Sequence, residues 1–148
     1  MAVLSENRKA YFNYEILETL EAGLELKGFE AKAIKAGRAN LTGAFATIKD
    51  NEIWLTNADV PPYQSRNTPP DYEPTRPRRL LLNKKEIQHL ISKMQSDRLT
   101  LVPLKLYTKG GRIKVELGLA RGKRKYEKRE TIKKRETQKE IRRTLKRG

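Results

Sequence analysis

Half of the last 28 residues are lysine or arginine. From Arg121 to Gly148 there are 14 Lys+Arg against 4 Asp+Glu, a net charge of +10. Apolar side chains there are limited to Tyr126, Ile132, Ile141 and Leu145. Such a stretch cannot bury enough apolar surface to offset the entropy of ordering it. A core must therefore be built from the first 120 residues, which carry 19 basic and 14 acidic side chains, a net of +5. The expected organisation is a folded body over 1–120 and a basic tail over 121–148, disordered in isolation. A basic body with a more basic extension points to a polyanionic partner. Nucleic acid fits better than a membrane surface, because a helix lying on lipid needs a strong apolar face.

The residue inventory excludes several functions. The 148 residues contain no cysteine and one histidine, His89. A disulfide framework, a zinc ribbon, an iron–sulfur site and a thiol nucleophile are therefore ruled out. None of Ser5, Ser65, Ser92 and Ser96 sits in a nucleophile elbow. No glycine-rich phosphate loop appears, since Gly110-Gly111 reads as a hairpin turn. No apolar run approaches the roughly 18–20 residues of a membrane span, and the opening MAVLSENRKAYF has no secretory apolar stretch. A cytoplasmic, monomeric, non-enzymatic protein is expected, with no metal, no cofactor, no small-molecule substrate and no membrane partner.

Along the body, residues 11–26 alternate at both ends and slip near Leu17, which predicts two short strands or one bent strand with Gly23 at the kink. GFEAKAIKAG (28–37) predicts a short helix closed by Gly37. Residues 44–49 and 52–57 alternate about Asp50-Asn51, a two-residue hairpin. Six of seven prolines lie between Pro61 and Pro77, predicting a long surface loop of the kind that carries binding residues. Asn83 and Glu86 form a capping box ahead of a stripe at Ile87, Leu90, Ile91 and Met94. Thr100–Tyr107 and Arg112–Leu119 alternate about Gly110-Gly111, with Arg112, Lys114 and Glu116 on the outward face. The fold class is thus mainly β with two short helices: five or six antiparallel strands in a small closed or partly open barrel of the oligonucleotide-binding (OB) type.

Basic residues cluster at Arg8-Lys9, at Lys32, Lys35 and Arg38, at Arg76, Arg78 and Arg79, and at Lys105, Lys109, Arg112 and Lys114. Arginine forks phosphate and lysine acts as a point charge. Tyr63, Tyr72, Tyr107 and Tyr126 are among the possible stacking planes, whereas Tyr14 and Trp54 read as core. Structured RNA is recognised by shape, backbone contacts and stacking on unpaired bases.

In order and spacing, NRKA (7–10), YEILETLEAGLELKGFEAKAIKAGRANL (14–41), EPTRPRRLLLNKKEI (73–87) and GLARGKRKYEKRETIKKRE (118–136) resemble the SsrA-binding protein family, SmpB. The resemblance implies an OB-type barrel with a basic tail. It further implies that the barrel binds the tRNA-like domain of transfer-messenger RNA (tmRNA) and brings it to stalled ribosomes for trans-translation. There the tail would occupy the empty mRNA channel and decoding centre of the small subunit as a helix. The motifs implicate Asn7, Glu21 and Leu81 in RNA binding. Arg8, Lys9, Lys32, Lys35, Arg38, Arg78, Arg79 and Lys114 are the phosphate candidates. Arg121, Gly122, Lys123, Tyr126, Glu127, Lys128, Arg129 and Leu145 are implied to act on the ribosome. Lys35 stands where the family usually has arginine, so a forked contact there becomes a point charge. A structural ribosomal protein with a basic extension is the alternative reading.

Overall fold

A computed structural model describes residues 1–123 together with Arg129 and Ile132. Seven strands and three helices follow in the order β1 (Ala2–Glu6), α1 (Arg8–Asn13), β2 (Tyr14–Leu24), α2 (Gly28–Lys35), β3 (Phe45–Lys49), β4 (Glu52–Thr56), β5 (Arg78–Leu81), α3 (Lys84–Ser96), β6 (Thr100–Lys109) and β7 (Arg112–Gly122). The strands form one antiparallel sheet in the order β1-β6-β7-β2-β5-β4-β3. The sheet curls so that β3 packs against β6 without hydrogen bonding to it. This is a partly open barrel, with the main apolar cluster enclosed between its two halves.

Local chemistry explains the elements. Asp50 and Asn51 both take positive φ, 54° and 59°, in the β3–β4 turn, the conformation that matches hairpin twist. Gly110 and Gly111 do the same between β6 and β7. Asn83 accepts from Glu86 N at 2.8 Å while the Glu86 carboxylate accepts from Asn83 N at 3.1 Å, so α3 begins with a complete capping box. Leu90 of α3 and Ile34 of α2 are fully buried, plugging the barrel from outside the sheet. Each such burial contributes about 1.5–3 kcal/mol.

Several expectations needed correcting. There is a first strand, β1, whose partner β6 lies about a hundred residues away in sequence. There is also an extra short helix, α1, so among the described residues the strands number seven and the named helices three. In β2 the irregularity falls between Ile16 and Glu18, at the slip near Leu17. Gly23 is no kink; it pairs in register with Leu81 and Lys114. A Cβ at Gly23 would stand 3.2 Å from Leu81 Cβ, so glycine lets β5 approach. Alternation in β6 also fails: Leu101 through Leu104 are all buried. A second small cluster of Ala10, Val102, Leu104 and Ala120 explains this, because α1 covers the outer face of the sheet there. Trp54 is only half buried, on the face of β4 opposite Ile53 and Leu55, and donates its indole N–H to Lys49 O at 3.3 Å. Tyr14 borders the small cluster and is half buried.

Candidate nucleic-acid interface

Helix α2 sets the site. Its inward face carries Glu30, Ala33 and Ile34, and its outward face carries Lys32 and Lys35, three residues apart and both exposed. Lys35 lines an open groove of about 440 Å3 that runs between α2, the end of β5 and the β6–β7 turn. Arg112 and Lys114 line it from β7, and Leu24, Leu26 and the exposed Leu81 give it an apolar floor. Three cations around an apolar floor suit a ribose–phosphate backbone with its bases turned inward. Arg112 follows from the outward face of β7, and its place in the groove depends on packing that no local pattern encodes.

Glu21 lies on the same outer face of the sheet. Its carboxylate accepts from the Tyr107 hydroxyl and, at 3.4 Å, from Lys109 Nζ. The Tyr107 hydrogen bond, with help from Lys109 and Lys114, holds the Glu21 carboxyl below its ordinary range. Burial and the facing carboxylate push the Tyr107 phenol up, so the tyrosine keeps its proton and donates it. Glu21 therefore braces a tyrosine and a lysine beside the groove.

Beyond α2, Arg38 stacks over the Tyr63 ring, its guanidinium carbon 5.2 Å from the centroid, and donates Nη1–H to Tyr63 O at 2.9 Å. Lys32 and Tyr63 line a separate cavity of about 310 Å3. Arg8 and Lys9 are exposed on α1, away from the groove. Lys9 borders a further cavity of about 420 Å3 beside Asn13, Tyr14 and Phe45.

Two residues expected to touch RNA, Asn7 and Arg78, are internal supports. Asn7 is buried: Nδ2 donates to Pro103 O at 2.9 Å and Leu41 O at 3.2 Å, and Oδ1 accepts from Ala10 N at 3.3 Å. It caps α1 and ties two loops to β6. Arg78 is buried, with Nε donating to Glu30 Oε2 at 2.6 Å, Nη1 to Ala58 O at 2.8 Å, and Nη2 to Pro74 O and the Tyr72 hydroxyl, each at 2.9 Å. A guanidinium enclosed in this way has no face left for phosphate. Arg79 is half buried between Glu25, at 2.7 Å, and Glu52, at 3.8 Å.

The Arg78 environment is a clamp. Arg76 also grips both oxygens of fully buried Glu30, and Lys27 N donates to Oε1 at 2.8 Å. Burial acts to raise the Glu30 pKa, but Arg76, the Lys27 amide and Arg78 outweigh it and hold the carboxyl at about 2. The Tyr72 hydroxyl lies 2.8 Å from Val60 O, and its ring meets Phe29 edge-on at 4.8 Å. The proline-rich segment is thus fastened to α2. A glutamate in an alanine-rich helix and arginines spaced by prolines were the available signals for this, and they read as loop and surface charge.

The root of the tail sits elsewhere. Arg121 and Gly122 are the last residues of β7, paired with Glu15 and Tyr14, and Arg121 makes an ion pair with Glu15. Lys123 donates N–H to Asn13 O at 2.8 Å and Nζ–H to Tyr11 O at 3.0 Å. From Lys114 to Gly122, β7 spans eight steps, about 26 Å at about 3.3 Å each. The groove and the tail root therefore lie at opposite ends of one strand. Arg129 is exposed, and Tyr126, Glu127, Lys128 and Leu145 lie outside the described residues. Among the described residues no helix is long and apolar enough to cross a membrane.

The family described as SmpB protein matches residues 4–147. The SsrA-binding protein of Thermosynechococcus vestitus is 52% identical over 144 residues, covering 97% of this chain and 95% of that protein. That of Carboxydothermus hydrogenoformans is 51% identical over 143 residues, with 97% and 95% covered. A solved chain described as "tmRNA-SmpB: a journey to the center of the bacterial ribosome" superposes with a TM-score of 0.68. It is 45% identical, covering 89% of this chain and 95% of that one. Sharing about half its residues with such relatives over nearly their whole length, the chain belongs to the SmpB protein family.

Proposed function

We propose that the chain binds the tRNA-like domain of transfer-messenger RNA and delivers it to stalled ribosomes for trans-translation, in the cytoplasm and without chemistry of its own. The relatives are named for SsrA binding, and the structural neighbour is described with tmRNA and the bacterial ribosome. The observation that carries the reading is the groove in which Lys35, Arg112 and Lys114 surround an apolar floor at Leu81. Phosphates meet the cations and unpaired bases meet the floor, which recognises a folded RNA by shape. The basic tail, rooted at the far end of β7, is free to enter a second RNA environment on the small subunit, the vacant mRNA channel and decoding centre, while the groove stays occupied. Charge neutralisation by rRNA phosphate would let it fold there as a helix.

Recovering the protein from cells and sequencing its bound RNA tests this. One dominant small RNA with a tRNA-like end is the expected result. Recovery of rRNA alone, in proportion to ribosomes, would support a structural ribosomal protein and overturn the reading.

A further inference from the structure

The cavity next to the groove along α2 has a different chemistry. It measures about 310 Å3 and is walled by Phe29, Lys32, Tyr63, Gln64 and Asn67, with Gly28 at the helix start. That volume is at the lower end of small-molecule sites, about 300–1,000 Å3, enough for one planar ring system. It offers two aromatic rings, two carboxamides and a single cation. A phosphate would call for several donors of positive charge, whereas rings and amides suit a flat heterocycle.

The rings and the amides are braced before anything binds. Arg38 does not line the cavity, so it backs the Tyr63 ring from outside, stacked at 5.2 Å and bonded to Tyr63 O. Gln64 O accepts from the Thr68 hydroxyl at 2.7 Å and from Asn67 N at 3.2 Å, which closes a 3-10 turn over Ser65–Asn67. Phe29 rests edge-on against Tyr72, a member of the buried Glu30–Arg78 clamp. Such preorganisation removes ordering cost from binding.

The amides are poised for one base edge. Asn67 Nδ2 donates one hydrogen to Gln64 Oε1 at 3.1 Å. Among the described residues its second hydrogen and Oδ1 have no partner. One donor beside one acceptor on a carboxamide is the pattern that pairs with N7 and N6–H of adenine.

We infer that this cavity is a pocket for a single unpaired adenine of the bound RNA, stacked on Tyr63, read by Asn67, and held by Lys32 on its flanking phosphate. The inference rests on the RNA-binding function proposed above and adds a base-specific subsite to it.

The test uses the full chain and tmRNA transcribed in vitro. Tyr63→Phe keeps the stacking plane and is expected to bind within twofold of the parent. Tyr63→Ala is expected to weaken binding about tenfold, given the usual worth of one base–aromatic stack. Substituting 7-deazaadenosine through the RNA removes N7 one adenine at a time. Interference is expected at one unpaired adenosine with the parent protein and is expected to vanish with Asn67→Leu. Tyr63→Ala binding within twofold of the parent, or no adenosine whose interference depends on residue 67, would overturn the pocket. Lys114→Ala separates the two levels. If it weakens binding and Tyr63→Ala does not, the groove stands and the pocket falls; if neither weakens binding, the RNA-facing surface itself has been misassigned.

Discussion

Glu30 shows how much of this protein depends on one carboxylate. It is fully buried yet charged, held at about 2 by Arg76, the Lys27 amide and Arg78 against burial. Its ordinary value is 4.5, so the folded state binds the proton less readily than the unfolded one. The resulting stability is fully present above pH 4.5 and is lost as pH falls through about 2, an amount on the order of 3 kcal/mol. Urea unfolding of the parent and of Glu30→Gln at pH 4.5 and pH 2.5 checks this. The parent should lose most of that increment across the interval, and the variant should be less stable at pH 4.5 but change much less. Removing the cation instead, in Arg78→Ala, strands Glu30, Tyr72 and two carbonyls, and should cost about 3–5 kcal/mol. Arg78→Lys should recover little, since a point charge cannot serve four acceptors in separate directions. Sequence reasoning found the charge of Arg78 and missed its burial, because arginine between prolines carries no local mark distinguishing a surface from a clamp.

At the scale of elements, legibility followed locality. The β6–β7 hairpin and α3 were readable because their signals lie within a few residues: a glycine pair between alternating runs, and a capping box ahead of an apolar stripe. Strand β1 was not readable, because Val3 pairs with Tyr107 and nothing near Val3 announces that partner. Helix α1 was not readable either, because six residues are too few to show periodicity. The groove combines elements of both kinds: Lys35 comes from a legible helix, Lys114 from a legible hairpin, and their meeting at Leu81 from packing. This predicts a shared binding surface. Lys35→Ala and Lys114→Ala should each weaken RNA binding at all sequences and lower the slope of log K against log salt by roughly 0.7–0.9 for each phosphate no longer neutralised. Binding titrations at several salt concentrations read both quantities. Leu81 is exposed, so Leu81→Ala should weaken RNA binding while leaving the melting temperature nearly unchanged.

For the whole molecule, the last strand of the body runs past the break in composition. Charge density rises after Ala120, yet β7 continues through Gly122 and Lys123 bonds to Asn13 and Tyr11. A chain ending at Ala120 forfeits the Arg121–Glu15 ion pair, the pairing of Gly122 with Tyr14, and the Lys123 hydrogen bonds. Thermal melting should therefore show a chain ending at Lys123 to be as stable as the corresponding residues of the full protein, and one ending at Ala120 to be measurably weaker.

We propose that RNA is held at the hairpin end of β7 while the tail acts from the other end. The most direct measurement compares tmRNA affinity and transpeptidation on stalled ribosomes for two proteins: the triple variant Lys35→Ala, Arg112→Ala, Lys114→Ala, and the chain ending at Lys123. The triple variant should lose affinity and about two to three units of salt slope, at roughly 0.7–0.9 per phosphate. The shortened chain should keep the affinity and lose transpeptidation. An RNA affinity that survives the triple substitution and falls with the tail would place RNA at the tail and not at the hairpin end.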